Sequence, residues 1–305
     1  MSVAPTGPIP HAMIGLVGKI RVIRCHGMEG DMLDELKSAL RVLAPRLYIA
    51  AGLVRRWRRP AERINRAVGK LSKWTVAGGP FAGMKYVRAA CGSSLSPKLI
   101  GSCELEIQTW IRDLLRRRFS AIIDVGSAEG YYAVGFARLE PTAQVVAFDT
   151  DPVARHLCRR MSEQNGVGSR VSVRSKCTPE VLCEMDLRGT LLVVDCETYE
   201  LELLDPKKVP GLSQATILVE MHDCYVPGLT DVVTQRFAET HSMKWTQAES
   251  RDPAEFTILG GLDPVLREAA VDEGRLFEAD GAPQRWGLFV PRESNFFSVT
   301  SRWMV

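Results

Sequence analysis

The chain has 305 residues, of which 46% are hydrophobic and 25% are charged, a composition typical of a globular protein that buries a sizeable core. Its formal net charge is +3, which is too small to indicate nucleic-acid binding by itself. The longest apolar run near the N-terminus, residues 47–54, is far shorter than the roughly 20 residues of a membrane span, and residues 1–30 lack the pattern of a signal peptide.

Eight cysteines are spread along the chain without a Cys-x-x-Cys pair, which argues against a zinc ribbon. Several of them lie in apolar, strand-like stretches, where a thiol acts as a small hydrophobic group. This usage is typical of the reducing cytoplasm, so we expect a cytoplasmic protein without a membrane span.

Residues 1–30 show only weak periodicity, and residues 31–73 predict two helices. Between residues 31 and 73, apolar side chains recur at helical spacing, first after Asp31, a candidate cap, and again after Pro60. The stretch AGGP at residues 77–80 ends this pattern. We therefore expect an N-terminal helical or cap segment over residues 1–99 and a second domain over residues 100–305, with an insertion at about 252–284.

The second domain alternates between strands and helices. After a helix over residues 104–118, strands are predicted at residues 121–125, 144–149, 170–174, 190–195, 215–221, 244–249 and 286–290. Helices are predicted at residues 131–139, 153–165, 179–185, 199–204, 230–240 and 264–273. Because several strands are apolar on both faces, the sequence predicts an α/β fold with a doubly wound, mostly parallel, seven-stranded, Rossmann-like sheet.

The first predicted strand leads into a glycine-containing turn, AIIDVGSAEG at residues 121–130. A strand, such a turn and a helix form a nucleotide site, because the helix offers free N–H groups and glycine allows close approach. The turn lacks the middle glycine of the dinucleotide fingerprint, and its two acids, Asp124 and Glu129, would repel a pyrophosphate. They suit the sulfonium and ammonium groups of S-adenosylmethionine (SAM), although a lone Gly-x-x-x-Gly is also found in ordinary tight turns.

The second predicted strand ends at Asp149, where a carboxylate can accept hydrogen bonds from both ribose hydroxyls. The order of these residues at strand ends favours SAM binding over an ordinary turn. The candidate cofactor-binding residues are Asp124, Gly126, Ser127, Ala128, Glu129, Gly130, Tyr131, Asp149, Thr150, Cys177 and Asp195.

With these motifs in place, the sequence resembles the class I SAM-dependent methyltransferases, and within them the FkbM-like group. Four stretches carry the resemblance: DVGSAEGYYAVGFARL at 124–139, VVAFDTDP at 145–152, VVDCETYELELL at 193–204 and ILVEMHD at 217–223. The third is similar to the family's Asp-x-Glu-Gly-x-Glu pattern, with Thr198 in place of the glycine, and Asp149 stands where the family usually has Glu. The resemblance implies the class I fold and methylation of hydroxyls on sugars or natural products.

Polar residues follow the fourth and fifth predicted strands, and ligands of open α/β sheets bind at such strand ends. Asp195 and Glu197 follow one strand, and Glu220, His222 and Asp223 follow the other. His222 is our candidate for the base that removes the acceptor's hydroxyl proton, because an imidazole titrates near neutral pH. Asp195 would either orient His222 or itself be the base, and Glu197 is the third catalytic candidate. Alternatively, His222 is a structural histidine with no catalytic role.

The same acids are candidates for binding Mg²⁺, which takes oxygen ligands. Asp195 and Glu220 would be the ligands, with Asp223 as a further candidate, and the alternative is an acidic rim without metal. Glu104 and Glu106 are candidates for closing over SAM, or else belong to a solvated first helical turn.

Three functions are open at this stage. The leading one is SAM-dependent O-methylation of a small molecule, a sugar or glycosylated metabolite, by a protein that could form a homodimer. The second is RNA methylation through the basic stretch at residues 55–73, although such a run is more often a solvated helix face. The tetrapeptide DCET at 195–198 argues against methylation of an amino group on an RNA base. Methylation of ribose hydroxyls in RNA is still compatible with the sequence. The third is a catalytically silent partner protein with this fold.

Overall fold

The computed structural model describes residues 44–57, 62–274 and 284–292. The chain forms two compact units, residues 1–59 and 60–305, and the first contributes helix α1, Pro45–Trp57. The helix predicted to follow Asp31 lies outside the described residues. All features below belong to the second unit.

A single seven-stranded sheet forms the centre of this unit. Its strands are β1 (Ala121–Val125), β2 (Gln144–Phe148), β3 (Val171–Arg174), β4 (Thr190–Val194), β5 (Thr216–Met221), β6 (His241–Gln247) and β7 (Arg285–Pro291). They lie in the order β3-β2-β1-β4-β5-β7-β6. Neighbours from β3 to β5 are parallel, and β7 is antiparallel to both β5 and β6. This is the class I methyltransferase fold, so the predicted fold class is confirmed.

Helices connect and cover the strands. They are α2 (Glu62–Leu71), α3 (Leu95–Ile100), α4 (Gln108–Arg117), α5 (Tyr131–Leu139), α6 (Pro152–Gln164), α7 (Pro179–Cys183), α8 (Glu200–Leu203), α9 (Leu229–Phe237) and α10 (Pro264–Val271). The helix predicted over 104–118 is divided into a 3-10 turn, Leu105–Ile107, and α4, and helix α3 was not predicted. Among the described helices, none is both long and apolar enough to cross a membrane.

The central strands are buried because helices cover both faces. Every residue of β4 and β5 is buried, whereas the edge strand β6 is largely exposed. In register, Val125 of β1 lies beside Val194 of β4, and Val194 lies beside Val219 of β5. The carboxyl ends of these three strands are therefore level, and the residues that follow them meet at one edge of the sheet.

Residues 62–101 pack into the same unit as the sheet. Phe81 packs edge-to-face against Tyr131 and Phe136 of α5, with ring centroids 5.2 and 5.3 Å apart. Gly135 makes room for this ring, since a Cβ there would lie 2.6 Å from it. The border between residues 99 and 100 that the sequence predicts is thus not a break in packing, and the division between compact units falls after Arg59.

Candidate active site

The glycine turn after β1 is held in a conformation that its glycines permit. Gly126 and Gly130 have φ of 86° and 98°, in the left-handed region that favours glycine. A Cβ at Gly126 would collide with the carbonyl oxygen of Asp195, so only glycine lets this turn lie against the end of β4. The backbone N–H groups of Gly126 and Ser127 both donate to the carbonyl of Phe148 at 2.9 Å, which ties the turn to β2 as well.

Asp149, the predicted ribose-binding residue, lies directly against this turn. Its Oδ2 accepts from the N–H of Ala128 at 2.8 Å, and its Oδ1 accepts from the N–H of Asp151 at 2.7 Å. The buried hydroxyl of Ser127 has no hydrogen-bond partner among the described residues. A polar ligand at the turn would satisfy this hydroxyl, and buried polar groups seldom go without a partner.

Asp124 is a buried carboxyl at the end of β1. Its Oδ2 accepts from the N–H of Ala133 in the first turn of α5 at 2.9 Å. Burial, with a smaller contribution from Asp149, raises the pKa of Asp124 to about 7, against the opposing effects of the Ala133 hydrogen bond and Lys98. A cation bound beside Asp124 would stabilise its charged form.

Glu129 is already paired inside the protein. Its carboxylate is fully buried and receives hydrogen bonds from Lys98 Nζ at 2.6 Å, Tyr86 Oη at 2.6 Å and the N–H of Cys91 at 2.7 Å. The charge that the sequence analysis assigned to a cationic cofactor is therefore balanced by Lys98. The only sequence signal for this partner is a lone lysine in the apolar helix α3, LSPKLI.

The other predicted cofactor residues differ in whether their side chains are accessible to a ligand. Ala128 is in the left-handed region at φ 48° and supplies its N–H to Asp149, while Thr150 is exposed. Tyr131 is buried under Phe81. Cys177 lies in the apolar cluster with Val125 and Phe148, and burial raises the pKa of its thiol to about 12. The side chains of Tyr131 and Cys177 thus pack beneath the site.

Asp195, Glu220 and His222 come together at the ends of β4 and β5. Their potential ligand atoms all lie within 4.8 Å of one another. His222 Nε2 is 3.5 Å from Asp195 Oδ1 and 3.8 Å from Glu220 Oε2. His222 and Glu220 are buried and the Asp195 side chain is 33% exposed, so the cluster opens at one side.

Glu200 orients the imidazole, a role the sequence analysis offered to Asp195. Its Oε1 lies 2.9 Å from His222 Nδ1, and the same oxygen accepts from the N–H of Cys196 at 3.2 Å. Both side chains are almost completely buried. Glu200 is the last acid of the Asp-x-Glu-x-x-Glu run at 195–200, so the motif contained the signal for it.

Glu197 reaches the same imidazole from the solvent side. Its Oε2 is 3.7 Å from His222 Nε2, and its side chain is 65% exposed. The next residue, Thr198, has φ of 90°, in the left-handed region that favours glycine. The chain therefore holds Glu197 at the site with strain in a β-branched residue.

The cluster carries more negative than positive charge. Burial raises the pKa of Asp195 well above its ordinary value, and Glu220, Glu104 and Glu197 add to the rise. Burial opposes the imidazolium form of His222, but the hydrogen bond with Glu200 and the nearby carboxylates outweigh it and raise the pKa. The pKa of Glu200 is lowered, because its hydrogen bond and charge interaction with His222 outweigh burial. The site thus favours a bound proton or cation.

Of three other predicted acids, two are engaged elsewhere and the third, Glu104, lies near the cluster. Asp223 accepts hydrogen bonds from the N–H of Thr230, at 3.1 Å, and from its hydroxyl, at the start of α9. Glu106 is buried against Arg251, with a 2.5 Å ion pair, so it does not close over the turn. The backbone N–H of Glu104 donates to the carboxylate of Glu273, and Glu104 is near enough to raise the pKa of Asp195.

The surface of the unit carries two further features. Tyr225 is 63% exposed and its ring stacks parallel to His222, with an interplanar angle of 14° and centroids 6.1 Å apart. On α2, Arg63 and Lys70 are exposed, as expected for a solvated basic helix face.

No family model and no curated protein matches the sequence. Among solved structures, the chain is similar to the O-methyltransferase TomG from Streptomyces achromogenes, involved in tomaymycin synthesis and in complex with SAM (13% identity, 76% of this chain, 99% of that chain, TM-score 0.41). It is also similar to the O-methyltransferase from Bacillus cereus in complex with S-adenosylhomocysteine (12% identity, 75% of this chain, 90% of that chain, TM-score 0.41). A third is the C-terminal domain of precorrin-6Y C5,15-methyltransferase from Rhodobacter capsulatus (11% identity, 62% of this chain, 89% of that chain, TM-score 0.41). At this distance the likenesses carry no argument about the reaction, and the fold assignment rests on the order and direction of the strands.

Proposed function

We propose that this protein is a SAM-dependent methyltransferase that methylates a hydroxyl of a small molecule, a sugar or glycosylated metabolite. The observation that carries the proposal is the contact between two groups of residues. The glycine turn with Asp124 and Asp149 abuts the end of β4, where Asp195 begins the cluster around the buried His222. Ligands of open α/β sheets bind at this edge.

The cofactor side of the site has candidate partners for the ribose and for the cationic part of SAM. Asp149 would hold the ribose hydroxyls, as the acid at the end of β2 does in dinucleotide folds. Asp124 and the orphaned hydroxyl of Ser127 would face the cationic and polar part of the cofactor. When bound, SAM supplies an electrophilic methyl group on a sulfonium.

The acceptor side supplies a base and a means of orientation. With Nδ1 engaged by Glu200, His222 presents Nε2 to take the acceptor's hydroxyl proton. A positioned base of this kind contributes about 10²–10⁴-fold to the rate. Asp195 and Glu197 border the same space and would accept hydrogen bonds from the acceptor.

The exposed ring of Tyr225 supports an acceptor with a flat or ring-shaped face. It lies parallel to His222 at the open side of the cluster and offers an apolar surface with a polar tip. A sugar ring would cover the Tyr225 surface while its hydroxyls meet Nε2 and the carboxylates. Mg²⁺ at Asp195 and Glu220 stays part of this proposal.

The test is methyl transfer from labelled SAM to a panel of hydroxylated acceptors, sugars and glycosides first. Wild-type protein should label at least one acceptor, and His222→Ala should lose at least about 100-fold in turnover, as expected for removal of a base. His156→Ala is a matched control, because His156 lies on α6, a helix that contributes no residue to the cluster. Full turnover in His222→Ala would remove His222 as the base.

The same assay separates the rival functions. Labelling of total RNA, with binding that weakens steeply as salt rises, would favour the RNA alternative. SAM binding without labelling of any acceptor class would favour a silent partner protein.

A further inference from the structure

We infer that Asp195, Glu220 and His222 form a site for a divalent first-row transition metal ion, and that Glu200 is the positioning residue that makes His222 a ligand. The inference differs from the oxygen-only Mg²⁺ site in its nitrogen ligand. It rests on the proposed function in that the ion would orient the acceptor's hydroxyl oxygen. It gives His222 a different role, because an Nε2 that binds the ion cannot also take the acceptor's proton; the ion would instead lower the pKa of that hydroxyl.

The distances from His222 to each of the two acids are close to the spacing of ligands that share one ion. His222 Nε2 lies 3.5 Å from Asp195 Oδ1 and 3.8 Å from Glu220 Oε2. These separations are long for hydrogen bonds. They are close to the roughly 3–3.5 Å expected between adjacent ligand atoms that each lie about 2.1 Å from one ion.

The buried imidazole is an observation independent of the acids. The side chain of His222 is 1% exposed, and its Nε2 makes no hydrogen bond among the described residues. Its nearest oxygens belong to carboxylates, so an Nε2 lone pair and two acidic groups point at the same space. A cation at that point would pair with the Nε2 lone pair and with both carboxylates.

Glu200 decides which nitrogen is available. Its buried carboxylate lies 2.9 Å from Nδ1 and can only accept, so Nδ1 carries the proton and Nε2 is left for the ion. A carboxylate behind a metal-bound histidine is a recurrent arrangement that fixes the ring and strengthens it as a ligand.

The ligand set selects the class of ion. Imidazole suits Zn²⁺, Fe²⁺ and their neighbours, whereas Mg²⁺ takes oxygen ligands almost exclusively. Glu197, on the exposed side at 3.7 Å from Nε2, is within reach as an outer ligand, and the open side leaves positions for acceptor oxygens. We therefore expect a transition ion to bind more tightly than Mg²⁺.

The experiment measures metal binding to the full chain without SAM or acceptor, so its failure leaves the cofactor proposal untouched. Tag-free protein is stripped with chelator and titrated with Co²⁺, and the visible absorption of the bound ion is followed. The expected result is one tight site that a large excess of Mg²⁺ does not displace. The spectrum should lack the near-ultraviolet bands of thiolate ligation, which would instead indicate binding at Cys196 or Cys224.

Variants test each part of the site. His222→Ala and Asp195→Asn should each weaken Co²⁺ binding at least tenfold, and Glu200→Gln should weaken it about 10–100-fold with an altered spectrum. Glu202→Gln on the same helix is the matched control, because its carboxylate pairs at the surface with Lys208. Circular dichroism checks that each variant folds. If His222→Ala does not fold, Asp195→Asn tests the site instead, because Asp195 is the most exposed of the three ligands. The inference would be overturned if Co²⁺ did not bind, if Mg²⁺ displaced it, or if the spectrum showed thiolate bands. It would also be overturned if His222→Ala and Asp195→Asn bound Co²⁺ with wild-type affinity.

Discussion

At the level of single residues, the site is governed by how each buried charge is compensated. Glu129 has Lys98, and Glu200 has the imidazole of His222. Among the residues that the structure describes, Asp124 has only the N–H of Ala133 and a weaker influence of Lys98, so its carboxyl stays partly protonated near neutral pH. This difference assigns structural roles to the first two acids and leaves Asp124 poised for a cation.

The raised pKa of Asp124 predicts a pH effect on stability. Its folded value is about 7 and its ordinary value 3.8, so between these pH values the folded state holds a proton that the unfolded state has lost. This contribution is complete below the lower value and is lost as pH rises through the upper one. As the pH is raised from about 5 to about 8, the melting temperature of Asp124→Asn should therefore fall less than that of the wild type.

Thermal melts across that pH range check this prediction in the ligand-free protein. Asp113→Asn is the control, because Asp113 is exposed on α4. Parallel pH profiles for wild type and Asp124→Asn would contradict the assigned pKa.

Thr198 predicts a stabilising substitution. A β-branched residue at φ 90° destabilises the folded state by about 1–3 kcal/mol through backbone strain. Glycine at this position would remove the strain but would lower stability by about 0.5–1 kcal/mol, because it loses more conformational entropy on folding. Thr198→Gly should thus raise the free energy of unfolding by about 1 kcal/mol, measured by urea denaturation. Thr142→Gly, at an exposed position without positive φ, should lower it. A loss of stability in Thr198→Gly would contradict the assigned strain.

At the level of secondary-structure elements, the site depends on contacts that fasten residues 75–101 to the glycine turn. Tyr86, Cys91 and Lys98 all converge on Glu129, and Phe81 packs on α5. The turn that would hold the cofactor is therefore shaped from both sides, by the sheet and by this segment.

The Lys98–Glu129 pair predicts a large and asymmetric effect on stability. Lys98→Met leaves a buried carboxylate without its cation and should cost about 3–5 kcal/mol in urea unfolding. Adding Glu129→Gln removes the charge but keeps an acceptor for Tyr86 and Cys91, so the double variant should recover part of that loss. Lys85→Met, at an exposed position, is the control. Equal losses in the single and double variants would show that charge compensation is not the cause.

The strand ends could be predicted from sequence because they follow from pattern alone. Buried strands of known order place Asp124, Asp149, Asp195 and His222 at one edge. The partners of Glu129 and His222 could not be predicted in this way. Lys98 acquires its role through packing between separate elements, which a one-dimensional pattern does not specify. Glu200 belongs to the acidic motif after β4, but its contact with His222 likewise depends on the packing of separate elements.

At the level of the whole unit, the sheet brings a cofactor turn and an acceptor cluster into contact. The turn lies against the end of β4, which also carries Asp195. A ligand that binds only the folded state would stabilise the unit by mass action, by about 2.7 kcal/mol at 100 times its dissociation constant.

The most direct test of SAM binding at this turn is calorimetric titration of the protein with S-adenosylhomocysteine. We predict saturable binding at one site, weakened at least tenfold by Asp149→Ala and unchanged by Asp186→Ala, an exposed loop acid paired with Arg188. No binding at millimolar ligand, or equal affinity in wild type and Asp149→Ala, would contradict the account.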